Sequence, residues 1–207
     1  VYDTNSNKVV IVYSDGALSN KITGVVGTVS NGDITFGTPV VIQNNAANCY
    51  NVRAVFNPSN NKVIAFYRDS GLGRLESVVL TVSGTSLSVG SFTTVHTSVN
   101  AYADIDATFD TSSNKAVVFA RETNNITEAF VGTVSGTSIS FGSPVVFESD
   151  TLREIGCTFD SANNKVIVVY RRTSDDKGYA KVGTVSGTSI SFGSRASFVD
   201  TGTGFYP

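Results

Sequence analysis

The chain of 207 residues has no Trp and no Met, two Cys, one His and four Pro, and only 15% of its residues are charged. Each scarcity excludes something. Cys49 and Cys157 are too few for a disulfide framework or a zinc site, and each reads as a small buried apolar residue. His96 stands alone, so no Ser/His/Asp or Cys/His arrangement follows from spacing. A net charge of −2 leaves no electrostatic footprint for nucleic acid or an anionic membrane. No stretch approaches the roughly twenty apolar residues that cross a bilayer, so membrane insertion is not expected. Without Met even at position 1, the chain is expected to be a processed form or a segment of something larger. The Gly-rich turns lack a following helix and are not phosphate cradles. Asp110-Thr-Ser-Ser-Asn114 lacks the Gly and distal Glu of a calcium loop. Neither a cofactor nor a metal is expected.

What the chain does have is short apolar runs between Gly, Ser, Thr and Asn clusters, the composition of a β protein. These runs repeat. An aromatic residue followed by Asp or Asn recurs at Tyr2, Phe56, Phe109 and Phe159, with spacings of 54, 53 and 50 residues. After each comes Asn-Lys and an apolar run: NKVVIVY from Asn7, NKVIAFY from Asn61, NKAVVFA from Asn114 and NKVIVVY from Asn164. VGTVSGTSISFGS then appears twice, from Val131 and from Val182, with the variants VGTVSNGDITFGT from Val26 and VLTVSGTSLSVGS from Val79.

Each unit reads as four antiparallel strands. Strand A ends at the aromatic anchor. Strand B is the Asn-Lys run, apolar on both faces and so expected to be buried on both. Strand C leads through a Ser-Gly-Thr-Ser or Ser30-Asn-Gly-Asp33 hairpin into strand D. Pro39 and Pro144 confine strand D to a sheet edge. Four such units without an intervening helix predict one all-β domain over 1–207, a four-bladed β-propeller with repeat units 2–55, 56–108, 109–158 and 159–207 plus residue 1. Joining Pro207 to Val1 would place Tyr2 50 residues after Phe159. Closure by pairing of the N- and C-terminal strands is therefore expected.

In size and blade length the chain resembles hemopexin-type four-bladed domains, with Asp104-Ile-Asp-Ala107 similar to their inner-strand pattern, though it has no Trp and no disulfide joining its ends. The Asn-Lys and Val-Gly-Thr-Val-Ser-Gly-Thr-Ser texture resembles repeat arrays of phage tail-fibre-like and microbial surface proteins. That resemblance implies an extracellular or virion-surface location within a larger assembly.

The A–B and C–D turns are nearly invariant among the units, whereas the B–C loops (14–21, 68–74, 121–125, 171–177) and D–A loops (43–50, 96–102, 148–153, 200–204) vary. Strand direction puts both variable sets on one face, where binding residues concentrate on constant scaffolds. There the aromatic, amide and charged groups of Tyr50, Tyr102, Asn44, Asn100, Arg68 and Asp69 are the chemistry a sugar needs, an aromatic plate with planar hydrogen-bonding groups at its edge. Arg53, Asp104, Asp106 and Glu154 on strand A are expected to line a central channel. The expected function is non-catalytic recognition of a surface glycan. The alternatives are a structural propeller that binds a partner protein, and a glycosidase using a carboxylate pair such as Asp104 and Glu154.

Overall fold

A computed structural model of the chain describes residues 1–43, 48–99 and 104–199. They form four antiparallel sheets. Sheet I contains β1 (Tyr2–Asp3), β2 (Lys8–Asp15), β3 (Lys21–Ser30), β4 (Asp33–Phe36) and β5 (Val40–Val41). Sheet II contains β6 (Cys49–Asn57), β7 (Lys62–Asp69), β8 (Arg74–Ser83) and β9 (Ser86–His96). Sheet III contains β10 (Ile105–Asp110), β11 (Lys115–Arg121), β12 (Thr127–Ser135), β13 (Ser138–Phe141) and β14 (Val145–Glu148). Sheet IV contains β15 (Leu152–Asp160), β16 (Lys165–Arg172), β17 (Lys177–Ser186), β18 (Ser189–Phe192) and β19 (Ala196–Val199). Every sheet is a meander in chain order, the strand order of a propeller blade. In sheets I, III and IV the expected strand D is two short strands, both paired to strand C. The break falls at Gly37-Thr-Pro39, Gly142-Ser-Pro144 and Gly193-Ser-Arg195, and the proline in two of them cannot donate to a ladder.

The invariant turns have a common chemistry. Asp3 Oδ1 accepts from the N–H groups of Asn5 and Ser6 (2.9 and 3.0 Å), Asn57 Oδ1 from Ser59 N (3.0 Å), Asp110 Oδ1 from Ser112 and Ser113 N (2.9 and 3.0 Å), and Asp160 Oδ1 from Ala162 and Asn163 N (3.0 and 3.2 Å). The Asn that precedes each Lys is left-handed, with φ of 53, 55, 57 and 55° at Asn7, Asn61, Asn114 and Asn164, a conformation Asn tolerates better than most residues. The Lys itself then crosses to strand C and donates to a Thr hydroxyl in every sheet: Lys8 to Thr28, Lys62 to Thr81, Lys115 to Thr133 and Lys165 to Thr184, at 2.7–2.9 Å. The recurrence of Asn-Lys in the sequence is thus a turn residue joined to a cross-strand tie.

Burial alone would raise the Asp110 carboxyl, but the N–H groups of Ser113 and Ser112 and the Ser112 hydroxyl outweigh it and hold the group below its ordinary range. A carboxyl lowered on folding stabilises the protein above its unfolded pKa, near 4, and loses that contribution as pH falls through its folded value. Asp110→Ala should therefore cost about 1–2 kcal/mol at neutral pH and flatten the acid limb of a urea-denaturation series run from pH 7 to 2. Asp110→Asn, which copies Asn57, should keep most of the neutral-pH stability while still flattening that limb. An unchanged acid limb in both variants would contradict this account.

The described residues fall into two compact units, one of Val1–Thr97 with Val134–Ile139, the other of Ser98–Thr133 with the described residues from Ser140 on. In the first, sheets I and II pack face to face. Val10, Ile22, Val26 and Ile42 of sheet I meet Val63, Ala65, Tyr67, Val78, Leu80 and Leu87 of sheet II, with Cys49 at the margin. In the second, Val117, Phe119, Val131 and Phe147 of sheet III meet Val166, Val168, Tyr170, Tyr179 and Ile190 of sheet IV. Strand B is buried throughout its apolar run in sheets II and III, as expected. In sheets I and IV it is less covered: in β2 Val10 alone is buried, with Val12 half-buried and Ile11 exposed, and in β16 Val166 and Val168 are buried while Ile167 and Val169 are half-buried. The expected closing strand falls on residues 200–207, outside the described residues; β1 pairs with β2.

Candidate functional site

The loops between sheets I and II build the most open polar and aromatic group. After β2, Asp15 Oδ1 accepts from Ala17 N (3.0 Å) and starts a single 3₁₀ turn, Gly16–Leu18. Ser19 and Asn20 follow with φ of 58 and 57°, and Asn48 has φ of 66°. These left-handed residues reverse the chain so that Asn48 N donates to Ser19 O (3.1 Å) and Cys49 N to Asn20 O (3.0 Å). Ser14 Oγ adds a bond to Cys49 O (2.7 Å). On this base, Asn20 Nδ2 donates to Asn48 Oδ1 (3.1 Å) and to the Tyr50 hydroxyl (3.2 Å), and the hydroxyl donates to Asn48 Oδ1 (3.3 Å). The Tyr50 ring is exposed. Asn20 Oδ1 and Asn48 Nδ2, one acceptor and one donor, have no hydrogen-bond partner among the described residues.

Arg68 is the cross-strand partner of Tyr50. It is buried, and its Nε has no hydrogen-bond partner among the described residues. Asp69 is buried beside it and its Oδ1 accepts from Leu72 N (3.1 Å), shaping the β7–β8 turn. Asn44, Asn100 and Tyr102 lie outside the described residues.

The strand A residues are engaged with backbone. Arg53 donates from Nη1 to Val52 O (3.0 Å). Asp104 Oδ2 accepts from Glu154 N (2.8 Å) and Asp106 Oδ2 from Cys157 N (2.7 Å). The register of β15 shifts between Arg153 and Gly156, with Glu154 at φ 48°. Such a bulge takes N–H groups out of the ladder, and the two aspartates satisfy them. Glu154 itself receives Arg171 Nη1 at 3.2 Å. Beside this bulge, Asp106, Gly156, Cys157, Thr158, Ile167 and Val169 line an open, largely apolar hollow of about 290 Å³.

Sequence reasoning missed a second cluster, set between sheets III and IV. Glu148 Oε2 receives Lys181 Nζ (3.2 Å), the Tyr170 hydroxyl (3.3 Å) and Arg195 Nη1 (3.5 Å). Burial would raise this carboxyl, but Lys181, Ser149 N and Arg195 bring it below its ordinary range. Arg172 pairs with Asp150 (3.1 Å) and Asp175, and its guanidinium lies 5.0 Å from the centre of the Tyr179 ring. Arg195 lies 5.1 Å from the same ring. Three cations face three carboxylates, and Tyr179 is buried beneath them. The cluster is internally paired and joins sheet to sheet. The signal for it was the repeat position shared by Gln43, Glu148 and Val199, whose members differ in charge. In sheet I that position holds Gln43, which donates to the Tyr67 hydroxyl (3.1 Å) in the same geometry.

Burial, and after it the nearby carboxylates Asp69 and Glu76, push the Cys49 thiol up to about 12, so it stays protonated at neutral pH.

No protein-family model matches the sequence, and no curated protein does. Solved structures do. AofleA from Arthrobotrys oligospora superposes with a TM-score of 0.54 at 13% identity, over 93% of this chain and 57% of that one. A variant of AofleA with three arginines changed to alanine gives 0.55 at 14% identity, over 93% and 58%. A variant of the Aleuria aurantia lectin in complex with α-methyl-L-fucoside gives 0.47 at 14% identity, over 91% and 63%. The chain thus spans less than two thirds of the length of each of these proteins, and with AofleA it shares the fold.

Proposed function

We propose that the four sheets are blades of a β-propeller and that the chain is a non-catalytic binding module for a surface glycan, displayed outside a cell or on a virion. The observation that carries this reading is the exposed Tyr50 ring, fixed at its hydroxyl by Asn20 and Asn48, with one amide acceptor and one amide donor left open beside it. A sugar presents an apolar C–H face and a rim of hydroxyls that both donate and accept. An aromatic plate edged with amides matches both at little entropic cost, because the plate is already held in place. Arg68, the buried residue paired in register with Tyr50, sets a positive charge on the neighbouring strand. The protonated Cys49 thiol and the backbone-engaged Asp104 and Asp106 support a role without catalysis.

A glycan array, followed by titration of the best hit, tests the reading. A panel of methyl glycosides that includes α-methyl-L-fucoside serves as the small-molecule set. Tyr50→Ala should weaken the best interaction about tenfold, the order expected for loss of one stacked aromatic, with little change in thermal midpoint because the ring is exposed. Failure to bind any sugar at high protein concentration, or full affinity in Tyr50→Ala, would sink it.

A further inference from the structure

The four repeats act as controls for one another. One position near the end of strand B holds Ser14 in sheet I, Arg68 in sheet II, Arg121 in sheet III and Arg171 in sheet IV. Two of these show how the side chain is satisfied from within its own surroundings. Ser14 Oγ donates to Cys49 O (2.7 Å). Arg171 is held by two carboxylates, Asp176 at Nε and Glu154 at Nη1. Asp176 stands immediately before strand C with φ 59°, and Glu154 stands on the strand A bulge with φ 48°.

Sheet II keeps the backbone of that arrangement and lacks both carboxylates. The residue before strand C is Gly73, with φ 65°, and the bulge residue is Asn51, with φ 53°. Arg68 is 7% exposed. Its Nε is enclosed, its Nη1 and Nη2 are not, and no carboxylate among the described residues pairs with any of the three. Asp69 is the adjacent acid, but consecutive strand residues point to opposite faces, and its Oδ1 is bonded to Leu72 N. A largely buried guanidinium without a counter-charge is costly to keep. Tyr50 stands directly opposite Arg68 on β6, and side chains so paired share a face, with β-carbons about 4.5–5.5 Å apart.

We propose that the ligand supplies the anion that Arg68 lacks, and that the sugar recognised at Tyr50 carries a carboxylate, as a hexuronic acid does. This inference rests on the glycan reading of the Tyr50 site and narrows it. The Tyr50 ring takes the C–H face of the sugar, Asn20 Oδ1 and Asn48 Nδ2 take its hydroxyls, and the carboxylate accepts from the Arg68 terminal nitrogens, as Glu154 accepts from Arg171. A planar guanidinium fork matches a planar carboxylate in geometry as well as in charge. The chain's net charge of −2 does not draw anions from a distance, so the preference for an acidic sugar arises from this one contact.

Calorimetric titration of the whole chain with matched sugars tests this: methyl glucuronide against methyl glucoside, and methyl galacturonide against methyl galactoside. At neutral pH at least one uronide should bind about tenfold or more tighter than its neutral counterpart, the order expected for one charge-assisted pair. Arg68→Gln should bring the two members of that pair to equal affinity. Because a buried arginine can matter for folding, a second variant leaves it in place. Asn51→Glu, at an exposed position, copies Glu154 and gives Arg68 a tethered carboxylate, so the uronide should lose its advantage while the neutral sugar keeps its affinity. Equal binding of uronide and neutral sugar by the native chain, weakened for both in Tyr50→Ala, would leave the glycan site standing and overturn the carboxylate assignment. An advantage confined to galactose 6-sulfate would overturn it too, as would a uronide preference that survives both Arg68→Gln and Asn51→Glu. If no sugar of either kind binds, the glycan reading and this inference fall together.

Discussion

Phe147→Ala should lower the stability of the protein by about 3–5 kcal/mol, whereas Phe198→Ala, the same change at the equivalent position one repeat later, should cost well under half of that. Phe147 is buried and its ring meets three others, Phe119 at 5.4 Å, Tyr170 at 5.1 Å and Phe192 at 4.9 Å, all close to edge-on. Lys181 Nζ also stands 5.0 Å from its centre. Removing the ring leaves a cavity walled by rigid aromatics that cannot collapse into it, and deprives three edge-to-face pairs of their common member. Phe198 is 49% exposed, so truncation removes surface area already half in water. Paired urea titrations of the two variants measure the difference. Equal losses would mean that Phe198 is as deeply covered in solution as Phe147.

The second large effect is expected at a glycine. Gly142→Ala should destabilise by about 1–3 kcal/mol, and Gly142→Val by more, because any β-carbon would collide with the Thr188 carbonyl, a backbone group that moves only with its sheet. Gly193→Ala should be close to neutral, since among the described residues its new methyl meets nothing nearer than 3.8 Å. The comparison separates close approach from backbone freedom: neither glycine has a positive φ, so a general intolerance of side chains at this turn would hit both alike. Thermal melts of the two variants side by side decide it. Comparable losses at both positions would refute the packing explanation.

Much of this architecture was legible in the sequence, for reasons the repeat makes clear. Asn-Lys recurs because a left-handed Asn and a lysine reaching a threonine are needed in every sheet. Pro39 and Pro144 marked strand D as an outer edge, though not its division into β4 and β5 or into β13 and β14. What composition could not show is which copies of an apolar run have a neighbour. Val9 to Tyr13 and Val63 to Tyr67 are nearly the same words, yet Ala65 is buried and Ile11 exposed. Local sequence specifies a strand and its two faces, while burial of those faces depends on what stands beside them.

The candidate site divides in the same way. Tyr50 was identifiable as an exposed aromatic at a loop end, but its partners Asn20 and Asn48 depend on three left-handed residues that draw two loops together. Asp104 and Asp106 looked like channel carboxylates. The bonds they accept follow from a bulge in β15 fifty residues away, a register shift that no local pattern in either segment encodes. Glu148, Arg172 and Arg195 were missed because a charge-balanced latch needs all three dimensions to be seen as balanced.

The interrupted outer strands of sheets I, III and IV have a consequence for how the material grows. With β4 and β5, β13 and β14, and β18 and β19 each separated by a short break in the strand, the rims of those sheets offer no continuous row of backbone donors and acceptors to an incoming strand. Those three rims are therefore poor templates for the addition of a strand from another molecule. Crowding should then yield countable particles that dissolve again on dilution, rather than the cross-linked hydrogen-bonded fibrils to which β-rich polypeptides are otherwise prone.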